Sequence, residues 1–415
     1  MKIRIPWTDV VISTDTSAPR AAASDGGTEI TTPEELEGFL RSGNATASGA
    51  SVNPDSSMRV AAVFRCVTLI AGAVATMPLQ LKRRVSDRET ATASDEVEAL
   101  LFRNRPNRWM TPSAFKRMMQ AHVLLRGNAY ALKVFDHRQR VVGLLPIHPD
   151  RVKPRQRKDL AIEYVYTRPS GGTVVLKQDE VFHLLGLTFD GVEGVSVIKY
   201  AREAVGLAMQ TERHGAAVFK NGASVGAVLR AKGKLGKEAQ DNLRSSLDAY
   251  RGADNAAKAL ILEEDMDFKP LGMTQEDAQY IETRKFSRSE IFMFFGVPPH
   301  MGGDTEKSTS WGTGIEQQSL GFVAYTLEDW LTTWEETSNR DLIGAASFFY
   351  RFNRAALVRG DINTRYQAYN IGRNGGWLSV NDIRAWEDMN PIEGGDEYLQ
   401  PLNMQPVGAT SNEPS

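Results

Sequence analysis

Residues 274–314 read TQEDAQYIETRKFSRSEIFMFFGVPPHMGGDTEKSTSWGTG, two halves of opposite character. The first half predicts a helix punctuated at both ends. Thr274 with Asp277 three residues on follows a capping-box pattern, and Glu276 places negative charge at the positive end of the helix dipole. Gly296 with Pro298 and Pro299 stops the helix. The second half is a Gly/Ser/Thr loop carrying one cation, Lys307, and one large aromatic, Trp311. A sharply ended helix that feeds such a loop predicts a contact element on a rigid support.

Around this stretch, bulk composition narrows the classes. The 415 residues are enough for two or three domains, and 41% hydrophobic with 24% charged residues is ordinary for a globular chain. The formal net charge of −2 provides no overall basic field, so any DNA contact must be local or geometric. Cys66 is the single cysteine, which allows no intrachain disulfide and fits a reducing cytosol. Met1–Ile5 runs into Pro6, Trp7 and Asp9 without the apolar core of a signal peptide. The apolar run from Cys66 to Leu79 is too short to span a bilayer, so a core helix is expected and no membrane partner.

Residues 1–54 are rich in Ser, Thr, Ala, Gly and Pro and predict a flexible arm, with one short helix started by Thr32 and Pro33. Helices are expected at Ser57–Met77, Ser94–Asn104 and Pro112–Arg126, the last capped by Thr111 and closed by Gly127. From Asn128 to Leu187 the hydrophobic period changes to two, giving strands at 129–134, 141–147, 162–166, 174–176 and 181–185. The fold class is therefore α+β, a mostly antiparallel sheet with helices beside it. Ser196–Asn221 predicts a long helix. A strand (Val225–Leu229), a helix (Lys237–Arg251) and a strand (Ala259–Leu262) follow before the 274–295 helix returns the chain. After the loop, Ile315–Leu342 predicts a long helix whose stripe is Leu320, Val323, Leu327, Trp330, Leu331 and Trp334, with Gly321 as a bend. An aromatic strand (Ser347–Asn353) and two short helices (Asp361–Ile371 and Ser379–Glu387) complete the reading.

No motif sustains catalysis. Gly222-Ala223-Ser224-Val225-Gly226 matches the nucleophile-elbow pattern, yet that motif needs a strand before the serine and a helix after it, and here the order is inverted. A serine hydrolase using Ser224 is kept as an alternative, as is an oligomeric scaffold without a channel. Gly302–Ser308 lacks the glycine that a phosphate-binding loop places before its lysine. The six histidines are scattered and pair with no cysteine, so no metal or cofactor is expected. A helix-turn-helix at Gly375–Asp388 would present Glu387 and Asp388 to phosphate, which repels them.

Several separated signatures, in order from Met58 to Asn403, resemble the portal (head-to-tail connector) proteins of tailed bacteriophages of the Hong Kong 97 type. They are VFRCVTLIAGAVATMPLQL, TPSAFKRMMQAHVLLRGNAYAL with LLPIHPDRV, and EGVSVIKYAREAV leading to FKNGASVGAVL. YIETRKFSRSEIFMFFGVPPHM, STSWGTGIEQQ and WLSVNDIRAWEDMNPIEGGDEYLQPLN continue the series. This chain departs from the family at Glu328-Asp329, where many relatives carry a proline, and at Trp311, where a smaller aromatic is usual.

The resemblance implies a non-enzymatic ring, typically of twelve subunits, at one capsid vertex, through which double-stranded DNA is packaged, retained and ejected. It implies a wing at 55–195, stem helices at 196–223 and 274–300, and a clip at 224–273. A tunnel loop at 301–314, a long wing helix and strand at 315–360, a crown at 361–398 and a flexible tail at 399–415 follow. Lys307, Ser308, Thr309 and Trp311 would meet DNA in the tunnel. Arg284, Lys285 and Arg288 share one sector of the second stem helix and, repeated around a ring, would form belts of charge. The clip's basic half (Arg230, Lys232, Lys234 and Lys237) and acidic half (Glu263, Glu264 and Asp265) would dock the terminase or pair between subunits. The implied partners are further copies of the chain, double-stranded DNA, the terminase large subunit, the major capsid protein and head-tail adaptors. The implied location is the virion, after assembly in the host cytoplasm.

Overall fold

The computed structural model describes residues 2–4, 11–13, 29–30, 46–86, 89–220, 227–230, 236–237, 267–270, 275–303, 318–354, 362–387 and 389–399. Two compact units divide the chain, one formed by 1–76 with 80–351 and the other by 77–79 with 352–415.

The first unit begins with β1 (Lys2–Arg4), β2 (Val11–Ser13) and β3 (Glu29–Ile30), in which β2 pairs antiparallel with β1 and parallel with β3. This small sheet lies in the stretch expected to be an arm. The predicted 57–77 helix is realised as α2 (Ala61–Thr76), preceded by a separate single turn, α1 (Pro54–Ser57), that Asn53 and Ser56 start through a capping box. On α2, Val63, Cys66, Val67, Ile70 and Val74 are buried at steps of three and four, which gives it one core face. β4 (Leu79–Arg84), β5 (Thr90–Thr92), α3 (Val97–Arg103) and α4 (Pro112–Arg126) follow. The hydroxyl of Thr111 accepts from the Ala114 amide as predicted, and α4 packs against α2, with Phe115, Met119 and Val123 buried.

The period-two region forms β6 (Asn128–Phe135), β7 (Val141–Ile147), β8 (Val152–Gln156), β9 (Ile162–Thr167), β10 (Thr173–Lys177) and β11 (Val181–Leu185). They build two antiparallel three-stranded sheets, ordered β11-β6-β7 and β10-β9-β8. Tyr130, Ile147, Val152, Tyr164, Leu176 and Val181 pack as one core cluster drawn from both. β8 was missed because Lys153, Pro154, Arg155 and Gln156 give it no apolar alternation; register with β9 makes it a strand.

His183 is the polar centre of this core. The amide nitrogen of Asn128 donates to the Gly194 carbonyl (3.0 Å) and its oxygen accepts from the Gly194 amide (2.8 Å), which fixes the orientation of the side chain. That oxygen therefore accepts from His183 Nε2 (3.0 Å), and Nδ1 accepts from the Tyr164 hydroxyl (3.1 Å). A neutral imidazole satisfies both contacts, and burial, with Arg340 adding to it, pushes the His183 pKa down to about 3.

The predicted 196–221 helix is broken at Ala201 into α5 (Val197–Tyr200) and α6 (Arg202–Lys220). Ser196 both caps α5 and donates to the Leu125 carbonyl at 2.6 Å, tying the start of this stretch to the end of α4. β12 (Ala227–Arg230) pairs antiparallel with β13 (Asp267–Pro270), with Arg230 opposite Asp267. The expected partner at 259–262 lies outside the described residues, whereas β13 falls in a stretch read only as acidic. α7 (Gln275–Phe295) packs against α6 and α2.

The long helix after the loop is described from residue 318. It contains a π-helical segment, Phe322–Leu327, and continues as α8 (Glu328–Leu342). This corrects the predicted stripe. Phe322, Leu327, Leu331, Trp334, Ser338 and Leu342 are buried, and the first step is five residues instead of four, whereas Leu320 is exposed. An extra residue in one turn rotates everything before it by about 100°, moving Leu320 off the core face and Phe322 onto it. Trp334 is fully buried, donates from Nε1 to Gln120 Oε1 at 2.8 Å, and stands edge-on to Phe102 at 6.2 Å. β14 (Phe348–Phe352) joins a further three-stranded sheet, ordered β14-β4-β5.

The second unit holds α9 (Ile362–Asn374) and α10 (Val380–Trp386). Ser379 and Asp382 form a reciprocal capping box that starts α10 where predicted. Glu387, weighed above as a residue facing phosphate, accepts from Arg365 at 3.1 Å and from the Tyr369 hydroxyl at 2.8 Å.

Candidate functional site

The candidate site is the junction where α7 ends and the loop begins. Gly296 ends α7 with φ of 65°, a left-handed cap that a side chain disfavours. A tight turn, Pro299–Gly302, follows, with Pro298 as its cap and Pro299 in its first position. Gly302 lies flat against the ring of buried Phe292, where an added Cβ would stand 2.1 Å from Cζ, so no larger residue fits without moving that ring.

Two contacts fix the ends of the loop. The Met301 carbonyl accepts from Arg65 Nε on α2 at 3.0 Å. His300 Nε2 lies 3.4 Å from the Ser319 hydroxyl, which bridges the two sides of the 304–317 interval. The described residues on either side of the interval therefore lie close together, as the two ends of an anchored loop do. A third contact, from the Thr326 hydroxyl to the Gly296 carbonyl at 2.7 Å, ties the cap of α7 to the π-helical segment.

Lys307, Ser308, Thr309 and Trp311 lie outside the described residues, as do Thr274, Ser224, Lys232, Lys234, Glu263, Glu264 and Asp265. Lys237 is exposed, and the backbone register sets Arg230 across from Asp267. Arg284, Lys285 and Arg288 are described. Arg284 and Arg288 fall in line with Ile291 and Phe295, the buried side of α7, and the Arg284 guanidinium is 3.9 Å from Glu212 on α6. Arg284 is therefore turned toward a helix of the same chain, whereas the ridge carrying Phe286 and Met293 is exposed. Sequence phase located the sector; only the partner helix decides which way it points.

The contacts made by Arg65, His300, Ser319 and Thr326 have no signal in the sequence. Each is made across a long chain separation, and no local pattern signals such a contact. Among the described residues no helix is long and apolar enough to cross a membrane.

A sequence model of the family described as "Phage portal protein" matches residues 61–388, which runs from α2 to just past the end of α10 and takes in the loop junction. The chain belongs to this family. Within it, the chain is 33% identical over 374 residues to the portal protein of Enterobacteria phage HK97, covering 88% of this chain and 87% of that one. It is also 33% identical over 386 residues to the probable portal protein of Streptomyces phage phiC31, covering 88% and 83%. Solved structures share the fold. The virion of a native gene transfer agent particle contains a chain with TM-score 0.58 and 24% identity, covering 85% of this chain and 100% of that one. The neck of the native particle, computed with C12 symmetry, gives TM-score 0.55 at 22% identity, covering 86% and 100%. An HK97-family portal from Corynebacterium diphtheriae gives 0.52 at 17%, covering 76% and 98%. The function of this portal-family chain is that of a phage head-to-tail connector, and its family is one of structural proteins.

Proposed function

We propose that twelve copies of this chain close into a ring at one capsid vertex and form the channel through which double-stranded DNA is packaged, retained and ejected. The ring follows from family membership and from the twelve-fold neck in which a chain of the same fold is found. The observation that carries the channel is the anchored loop junction. Arg65–Met301 and His300–Ser319 hold the base of a loop at the end of a rigid helix, where a part must stay in place while DNA moves past it.

A channel that moves DNA of any sequence must not hold it tightly, because each neutralised phosphate adds salt-dependent affinity. A net charge of −2 with a few cations per subunit suits sliding contact. Lys307, Ser308, Thr309 and Trp311 are proposed as the DNA-facing residues, and the clip residues from Arg230 to Asp265 as the surface that docks the terminase large subunit. The major capsid protein would hold the wing, and head-tail adaptors would follow the terminase once the head is full. The chain itself performs no catalysis in this scheme; the terminase ATPase supplies it. Assembly takes place in the host cytoplasm and the finished ring resides in the virion.

Negative-stain imaging of the purified protein, with mass measurement, tests the reading. Rings with a central hole are expected; dimers or compact globules would overturn it.

A further inference from the structure

A strand at the edge of a sheet leaves every second N–H and C=O unpaired, and folded chains usually cover or interrupt such an edge. The two antiparallel sheets β11-β6-β7 and β10-β9-β8 have four edges, and three of them are covered or interrupted. On β11 the His183 amide donates to Asp341 Oδ2 and its carbonyl accepts from Arg340 Nη2, each at 3.2 Å. On β7 the Leu144 amide donates to the Pro106 carbonyl at 2.7 Å, and the Leu144 carbonyl accepts from Asn107 Nδ2 at 3.0 Å. On β8 the Val152 amide donates to the Pro149 carbonyl, and Pro154 has no N–H to offer.

β10 is the fourth edge. The Arg168 amide donates to the Gly172 carbonyl, and from that pair the antiparallel alternation turns the N–H and C=O of Thr173 and Val175 away from β9. The Lys177 amide, in phase with them, donates outward to Glu180 Oε2 at 2.7 Å. Among the described residues no hydrogen bond reaches the outward groups of Thr173 and Val175. This open stretch, Thr173-Val174-Val175, is β-branched throughout, and Val175 is 51% exposed.

The same sheet is basic. Residues 151–177 hold seven Lys and Arg against two carboxylates, a net of +5 in a chain whose net is −2. Both carboxylates are already paired, Glu163 with Arg155 and Asp159 with Arg157. Arg151, Lys153, Lys158, Arg168 and Lys177 form no ion pair among the described residues. The flanking carboxylates are engaged elsewhere: Asp150 is bonded to Arg126, Glu180 to the Lys177 amide, and Asp179 acts on Lys133 of β6.

We infer that β10 takes an acidic, extended segment of a partner polypeptide as a fourth strand of this sheet. Main-chain pairing along Thr173–Val175 supplies the register, and the unpaired cations select carboxylates. Phosphates would answer the cations alone, whereas a row of outward donors and acceptors beside β-branched side chains is what another strand adds to. Ring formation is not required for this contact.

The test uses the full-length protein and a fluorescent peptide of alternating Glu and Val, with anisotropy as the readout. Binding is expected at low salt and should weaken as salt rises. The same peptide with Lys in place of Glu is expected not to bind. Val175→Pro removes one outward donor, as Pro154 does on β8, and is expected to weaken binding roughly tenfold with circular dichroism unchanged. Lys153→Glu combined with Lys177→Glu keeps the backbone edge and is expected to weaken binding through charge alone. Binding that is indifferent to Val175→Pro would overturn the added strand. No binding of the Glu–Val peptide, whether or not a short DNA duplex binds in its place, would overturn the polypeptide partner. Slow deuterium exchange across residues 173–177 in the protein alone would also overturn it, because the edge would then be covered by the chain itself.

Discussion

The hydroxyl of Thr326 donates to the carbonyl of Gly296 at 2.7 Å, which couples the end of α7 to the π-helical turn thirty residues later. The left-handed cap at Gly296 leaves that carbonyl without an intrahelical partner, and Thr326 satisfies it. The exact phase of the π segment therefore matters to the end of α7. Thr326→Val keeps the shape and removes the donor. A loss of about 1 kcal/mol is expected, read as a lowered Tm with rings retained. Gly296→Ala is expected to cost at least as much, since an added Cβ stands 2.9 Å from the Thr326 hydroxyl at a φ that alanine disfavours.

Gly302 and Phe292 occupy one space. Gly302→Ala is expected to destabilise the junction by about 1–3 kcal/mol, because buried Phe292 must leave its position. Adding Phe292→Leu to Gly302→Ala should cost less than Phe292→Leu does alone. Thermal melts of the four proteins in the cycle check this coupling.

The indole of Trp334 has Gln120 as its acceptor in the middle of the first unit. Gln120→Met conserves volume and leaves the buried N–H unsatisfied, so a loss of about 1–3 kcal/mol is expected in urea unfolding. The m-value is expected to be unchanged, since the surface exposed on unfolding is the same.

Two buried histidines set an acid limit. Burial holds His183 near 3 and, with His148 and Arg126 adding to it, His122 near 4, both below the ordinary 6.5. The unfolded chain then binds protons that the folded one refuses, so stability is full above about 6.5 and declines as pH falls toward about 4. Urea midpoints across this interval should show the decline. His122→Phe should make the decline shallower and leave the share that His183 contributes.

Removing residues 304–312 tests the loop without touching the Arg65–Met301 and His300–Ser319 contacts at its base. Ring mass and Tm are expected to stay at wild-type values while packaged or retained DNA falls. A collapse of Tm would mean that the loop belongs to the folded body.

Much of this was legible because it is local. Thr111 and Gly127 bound α4, Ser379 and Asp382 start α10, and the glycine and prolines after Phe295 stop α7, each through backbone groups a few residues away. The α+β class followed from a change of period, and the family from ordered signatures. The stripe of the long helix was misread because counting steps of three and four assumes an unbroken α-helix. One five-residue step between Phe322 and Leu327 defeats that assumption.

The sequence by itself determined the class of fold, the family and the ends of capped helices such as α4 and α10, since these depend on neighbours along the chain. Tertiary structure decided which way the faces point. It turned Arg284 toward Glu212, left Phe286 and Met293 outside, paired β12 with β13, and closed the base of the loop through Arg65, His300 and Ser319. A face has a direction only relative to what packs against it, and that partner lies far away in the chain.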